Sequence, residues 1–278
     1  MINFSKLSLA VILGAALVVS SSSVFAQIYG SKHDMSVTGT GQSASTATDE
    51  ICVYCHTPHG SDIAAPAPLW NRFLNTSVSY QRYSALGTAT LDGDEAPVGS
   101  VSLACLSCHD GAQAMDAVIN APGSGGYTAT GAVIGGGVGT TMTGTPIPML
   151  GTDLRDDHPI SIQYAGGACQ GTLADCAPSG ASSGDPDFNT AQYASINSNP
   201  QWWVDTGTTG ANVREKTDMI LYARSDYNTA TGTGPAVECG SCHDPHNAST
   251  FSSSAPLSVA FLRLPNTGSQ VCLACHIK

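Results

Sequence analysis

Four segments of this 278-residue chain read Cys-x-x-Cys-His: Cys52-Val53-Tyr54-Cys55-His56, Cys105-Leu106-Ser107-Cys108-His109, Cys239-Gly240-Ser241-Cys242-His243 and Cys272-Leu273-Ala274-Cys275-His276. Two thiols one helical turn apart can form two thioether bonds to a single porphyrin. The adjacent imidazole then faces the iron, so the pattern is that of c-type haem attachment. The other four histidines of the chain are His33, His59, His158 and His246. Eight imidazoles suffice for two axial nitrogen ligands on each of four irons. Irons closed on both faces exchange electrons rather than activate a substrate.

A lone Cys-x-x-Cys is less specific, since it also occurs as half of a zinc site or as a redox dithiol. Zinc would draw two motifs to one metal and leave the regular histidine unexplained. With 8 histidines in 278 residues, one following every motif by chance has odds on the order of one in a million, and covalent haem accounts for all four.

The spacing of the second histidines carries geometry. His59 follows His56 by three residues, and His246 follows His243 likewise. On one helical turn such side chains have Cβ atoms ~5–6 Å apart, so they cannot approach one iron from opposite faces. If His59 and His246 ligate, each serves a haem other than that of its own motif, which draws haems close together. His158 lies in Asp156-Asp157-His158-Pro159, where carboxylates could hold its second ring nitrogen. His33 lies near the mature N-terminus and would be tied down by coordination. Met35 is its local competitor, and His–Met ligation would raise the haem potential.

Residues 1–26 have Lys6, an apolar stretch from Leu7 to Val19, and Val24-Phe25-Ala26 before Gln27, the pattern of a secretory signal peptide. The mature chain is then a single domain, 27–278, without a membrane span, since no later segment reaches ~20 apolar residues. Export also suits haem attachment to thiols. Ten cysteines less the eight of the motifs leave Cys169 and Cys176, spaced for a small disulfide-closed loop in an oxidising compartment. A loop staple is the preferred reading over a reactive pair. The formal charge of −11 argues against nucleic acid and anionic membrane as partners.

Charged residues make up 11% of the chain and aromatic residues 6%, with much Gly, Ser and Thr. The expected fold is coil-dominated, with short α-helices at the haem motifs and little strand, organised around four stacked haems. A longer helix is expected from about Val213 to Arg224, on the apolar face of Val213, Met219, Ile220 and Ala223. Ala132 to Val138 is too rich in glycine to read confidently as a strand. Trp70, Phe73, Trp202 and Trp203 are expected to pack on porphyrin. The metal-binding residues fall into two pseudo-repeated halves, about 27–150 and 151–278. Each half has a leading histidine, a Cys-His-x-Pro-His segment and a final motif.

These features resemble the OmcE-type tetrahaem cytochromes of metal-reducing bacteria, which polymerise into extracellular filaments. The likeness rests on the signal peptide, the four motifs, the Cys-His-x-Pro-His segments at 55–59 and 242–246, and Asp157-His158-Pro159. It implies four haem c groups in one continuous line, all with two histidine ligands, in a homopolymer that passes electrons from a redox donor to external acceptors such as metal oxides. It also implies one axial histidine donated across the subunit interface, for which His33 is the matching position. His59 would then serve the second haem and His246 the fourth, with His33 and His158 serving the first and third. A monomeric periplasmic electron shuttle is the alternative. A multihaem reductase is the reading from another class, disfavoured because every motif keeps its histidine and enough histidines exist to close every iron.

Overall fold

The structure, a computed structural model, describes residues 28–39, 48–91, 93–123, 125–134, 141–142, 144, 148–167, 185–207, 213–227, 233–247 and 261–277. The expected signal peptide, residues 1–26, and the expected disulfide-closed loop of Cys169 and Cys176 lie outside these residues. Short helical elements do occur at the motifs, but the expectation of a coil-dominated chain with little strand is overturned. Two antiparallel sheets carry the fold. Strands β1 (Ala117–Asn120) and β2 (Tyr127–Val133) form a two-stranded sheet with an irregularity between Val118 and Asn120. The second sheet has five strands, β3 (Ile162–Gln163), β4 (Gln192–Ile196), β5 (Asn199–Val204), β6 (Met219–Arg224) and β7 (Gly234–Val237). Their order across the sheet is β3-β7-β6-β5-β4.

The helix expected over Val213–Arg224 is instead the loop that leads into β6, and β6 itself. Met219 and Leu221 are buried while Ile220 and Tyr222 are less so, a period of two rather than 3.6. Strands on both sides supply the backbone partners: Leu221 pairs with Trp202 of β5, and Tyr222 with Ala236 of β7. Trp202 and Trp203 are likewise strand residues, 4% and 1% exposed, so they fill the protein's own core. The β4–β5 hairpin turns on Asn197 and Ser198, both with left-handed φ (51° and 64°), the two-residue connection that matches strand twist. Strand β2 covers Tyr127–Val133, so residues 132 and 133, doubtful on their glycine content, are extended after all.

Three of the apolar clusters back a motif. The largest gathers Tyr164, Ala191, Trp202, Val204, Met219 and Leu221, with Val271, Ala274 and Cys275 against it. Those last residues belong to helix α3 (Gln270–Leu273) and the turn that follows. Leu103 and Ala104 of helix α1 (Ser100–His109) pack with Ala65 and Leu74. Tyr54, Val118 and Ile134 hold the first motif, with Met35 packed alongside. Helix α2 (Cys239–Cys242) lies so close to its neighbours that a Cβ on Gly240 would collide with the Tyr222 hydroxyl and press on Val101. Among the described residues no helix is long and apolar enough to cross a membrane.

A buried polar network joins the two halves between α1 and α2. Arg224, 6% exposed, donates to Glu238 Oε1 at 2.6 Å and to both Asp226 oxygens at 2.7 and 2.8 Å. Glu238 Oε2 accepts from Ser102 at 2.5 Å and Ser161 at 3.2 Å. The Ser102 hydroxyl also accepts the Cys239 N–H at 3.0 Å. Burial pushes the Glu238 carboxyl up, and Arg224 with the two serines draws it back toward ionisation. Removing one member leaves a desolvated charge. Arg224→Met should therefore cost about 3–5 kcal/mol, and pairing it with Glu238→Leu should recover much of that loss. Denaturant midpoints of the two variants measure the difference.

Candidate functional site

The four motifs share one local build. The His56 N–H donates to the Cys52 carbonyl at 2.8 Å, His243 to Cys239 at 3.0 Å and His276 to Cys272 at 2.9 Å. The second motif ends α1. This bond closes one helical turn, so both thiols and the imidazole project from the same side.

Each turn is backed by a second backbone segment that the motif text does not reveal. The carbonyl of the second cysteine accepts an N–H from Asn71 (2.9 Å), Arg263 (2.8 Å) or Asn189 (2.8 Å) in motifs one, three and four. The N–H after the motif histidine donates to Leu69, Phe261 or Asp187, at 2.8, 2.8 and 2.7 Å. The side chains of Asn71, Arg263 and Asn189 then reach the carbonyls of Val53 (2.7 Å), Gly240 (3.0 Å) and Leu273 (3.1 Å), just after the first cysteine. Leu69 and Phe261 adopt left-handed φ, 55° and 65°, at equivalent places in this cradle. In the second motif Arg72 is the donor, reaching the Ser107 carbonyl at 3.0 Å. Trp70 and Phe188 follow Leu69 and Asp187 and stand against His56 and His276, with ring centres 6.1 and 4.4 Å apart.

Backbone carbonyls also orient the imidazoles. Nδ1 of His56 bonds Pro68 O at 2.7 Å, His109 bonds Pro148 O at 2.7 Å and His158 bonds Pro159 O at 3.0 Å. His33 is held by the Pro245 carbonyl. Asp244 lies 3.6 Å from Nδ1 of His246, and its carboxyl is held below the usual range chiefly by that histidine. A ring nitrogen that donates at Nδ1 presents its lone pair at Nε2.

Six histidines then meet in pairs. His33 and His109 have ring centres 6.2 Å apart, His56 and His246 6.0 Å, and His158 and His276 6.5 Å. Imidazoles on opposite faces of one iron, with Fe–N bonds of roughly 2 Å, have ring centres about 6 Å apart. The residues therefore fit a haem iron between the members of each pair, with the paired cysteines of a motif beside it. The pairing differs from the one the resemblance implied. His246 goes with the first motif, and His33 with the second motif of its own chain. His158 goes with the fourth. Met35 packs into the apolar cluster beside Tyr54 instead of competing for His109. His59 lies exposed and makes no ring contact among the described residues.

The electrostatics suit neutral ligands and inert sulfurs. Burial, with His109 beside it, pushes the half-buried His33 down to about 4, and a metal-ligating imidazole must be unprotonated. Burial pushes the Cys55 thiol up to about 12, Cys242 to about 11 and Cys275 to about 12. A redox dithiol needs the opposite shift. Contact with Cys239 raises Cys105 and lowers Cys239 in turn. Neighbouring thiols feel one another in chain order, Cys55 with Cys108, Cys105 with Cys239 and Cys242 with Cys272. Successive motifs are thus neighbours, the first beside the second, the second beside the third and the third beside the fourth. Among the described residues no three His, Cys, Asp or Glu side chains gather as a bare metal ion requires. No protein-family model matches the chain, and neither does any curated protein.

The loop carrying His33 is anchored by Asp34, which is fully buried. Its carboxylate accepts from Gly30 N (2.9 Å), Ser36 N (3.1 Å), Ser36 Oγ (2.6 Å) and Thr38 Oγ1 (3.4 Å). Burial acts upward on this carboxyl, but the hydrogen bonds from Ser36, Gly30 and Thr38 prevail and hold it below its ordinary value. The folded value is thus lower than the unfolded one of about 3.9. The anchoring is complete above that pH and drains away as pH falls through the lowered value. Amide exchange at Gly30 and Ser36 should accelerate over that acid range. Asp34→Ala should accelerate it already at neutral pH, leaving the five-stranded sheet protected.

Proposed function

We propose that this chain is a tetrahaem c-type cytochrome that relays electrons, and that it works as the subunit of an extracellular homopolymer. The observation that carries the reading is the set of three imidazole pairs at the separation that one iron between them requires. Each haem, when bound, supplies a one-electron Fe(III)/Fe(II) couple. The chain's residues do the rest. Eight motif cysteines fix the macrocycles, and the paired imidazoles close both faces of the iron, which favours electron transfer over substrate reduction. The neighbouring of successive motifs supports a line of haems in the order one, two, three, four. Burying apolar thioethers in place of thiols removes the desolvation problem of the buried sulfurs. The leader-like residues 1–26 support secretion, and the acidic chain suits acceptors that carry cations, such as metal oxides.

The relation between halves supports the homopolymer. In the second half, the last histidine of Cys-His-x-Pro-His, His246, turns away from His243 to face the first motif, two places back in the line. His59 holds the same position in the first half. Two places back from the first motif is the third motif of a preceding copy. Exposed His59 would thus complete the haem of His243 in a neighbour, while His33 serves its own chain. Such a contact would be heterologous, joining unlike patches of successive copies, and a heterologous contact that does not close propagates as a filament.

Pyridine haemochrome analysis should give four haems per chain, and a protein purified without covalent haem would sink the reading. His59→Ala should keep all four haems but turn one high-spin, make that one open to carbon monoxide, and abolish polymers in electron micrographs. Wild-type protein that stays dispersed at every concentration with four low-spin haems would point to a monomeric shuttle instead.

A further inference from the structure

Among the described histidines, the Nδ1 partners of His56, His109 and His158 are neutral backbone carbonyls of prolines, and His33 also bonds a proline carbonyl, that of Pro245. His246 differs, because a carboxylate stands beside its ring. Asp244 Oδ1 accepts the His246 backbone N–H at 2.9 Å and lies 3.6 Å from Nδ1. In the first half the corresponding residue is Thr57, whose hydroxyl donates to the His59 carbonyl at 3.0 Å. The otherwise repeated Cys-His-x-Pro-His segments therefore differ by one negative charge, placed against one axial ligand.

We propose that Asp244 is a positioning residue that lowers the reduction potential of the first haem, whose iron His56 and His246 share. The inference rests on the tetrahaem reading above. An anion beside an axial imidazole strengthens its donation to the metal and opposes the added electron, stabilising the ferric state. The turn that carries this charge also touches the second haem's ligand, through Pro245 and His33. There the contact is a neutral carbonyl, so the effect falls mainly on the first haem. The facing cation is Arg263, fixed by the carbonyls of Gly240 (3.0 Å) and Lys216 (3.1 Å). It offsets part of the charge from a fixed position. The consequence is a built-in potential difference between the first haem and the second, which makes the first the poorer place for an electron to rest.

Spectroelectrochemical titration of purified holoprotein tests this. Asp244→Asn should raise one of the four midpoint potentials and leave the other three in place, with every haem still low-spin. Asp244→Glu should restore the wild-type value. Asp49→Asn, an exposed charge removed near the first motif, should move none. Unchanged potentials in Asp244→Asn would overturn the proposal. So would four potentials moving together, which marks a general charge effect, or a high-spin haem, which marks a purely structural role. Wild-type protein lacking four low-spin haems would instead overturn the parent reading, and this one with it.

Discussion

The bond between an imidazole Nδ1 and a backbone carbonyl is the interaction on which the rest of this structure depends. A histidine on a short helical turn can swing about χ1 and χ2 and offer either nitrogen to a metal. Once Pro68, Pro148 and Pro159 have taken the Nδ1 protons of His56, His109 and His158, those rings are locked and Nε2 alone remains. Proline suits the acceptor because its fixed φ holds the carbonyl without requiring a partner for its own nitrogen. The sheets, the buried Arg224–Glu238 network and the left-handed Leu69 and Phe261 serve to bring those carbonyls within reach. Regular structure in this protein is scaffolding for acceptors.

The turn Asp244-Pro245-His246 concentrates this logic. It follows His243, carries His246 toward His56, and holds His33 through its proline carbonyl. Phe261 accepts the Asp244 N–H and stacks on His33 with ring centres 4.1 Å apart. Under the proposed ligation, ligands of three different haems are thus attached to a few consecutive residues, so the halves seen in the sequence are interlocked rather than juxtaposed.

How much of this was legible in the sequence follows from which signals are local. The motifs and the i, i+3 histidines are contiguous text, but the helical turn expected to join His243 and His246 is absent, because the chain is already extended at His243 (φ −107°, ψ 136°). The partners were not legible, because no local rule says which iron a distant histidine meets. His33 and His246 both landed elsewhere than the resemblance implied. The sheet was missed for a related reason. Met219–Arg224 shows only a short apolar run, which fits a helix face about as well as a strand, and it is the hydrogen bonds from β5 and β7 that decide. The cradle is the most instructive omission. Pro68-Leu69-Trp70-Asn71 follows its motif, whereas the corresponding Pro186-Asp187-Phe188-Asn189 precedes its own by a long stretch of chain. No fixed spacing exists for a pattern search to find, even though the atoms repeat.

The long reach from His56 to His246 also has a consequence for how the molecule is made. A chain that emerges from its N-terminus presents the first motif early, while the imidazole that faces it arrives only after the third motif has emerged. Under the proposed ligation the first iron would spend that interval with one face open, exposed to oxygen and to stray ligands from other copies. The second haem would be sheltered sooner, since His33 precedes it, although the Pro245 carbonyl that aims His33 comes late as well. Under that ligation, the arrival of one tripeptide, Asp244-Pro245-His246, closes the first centre and fixes the ligand of the second.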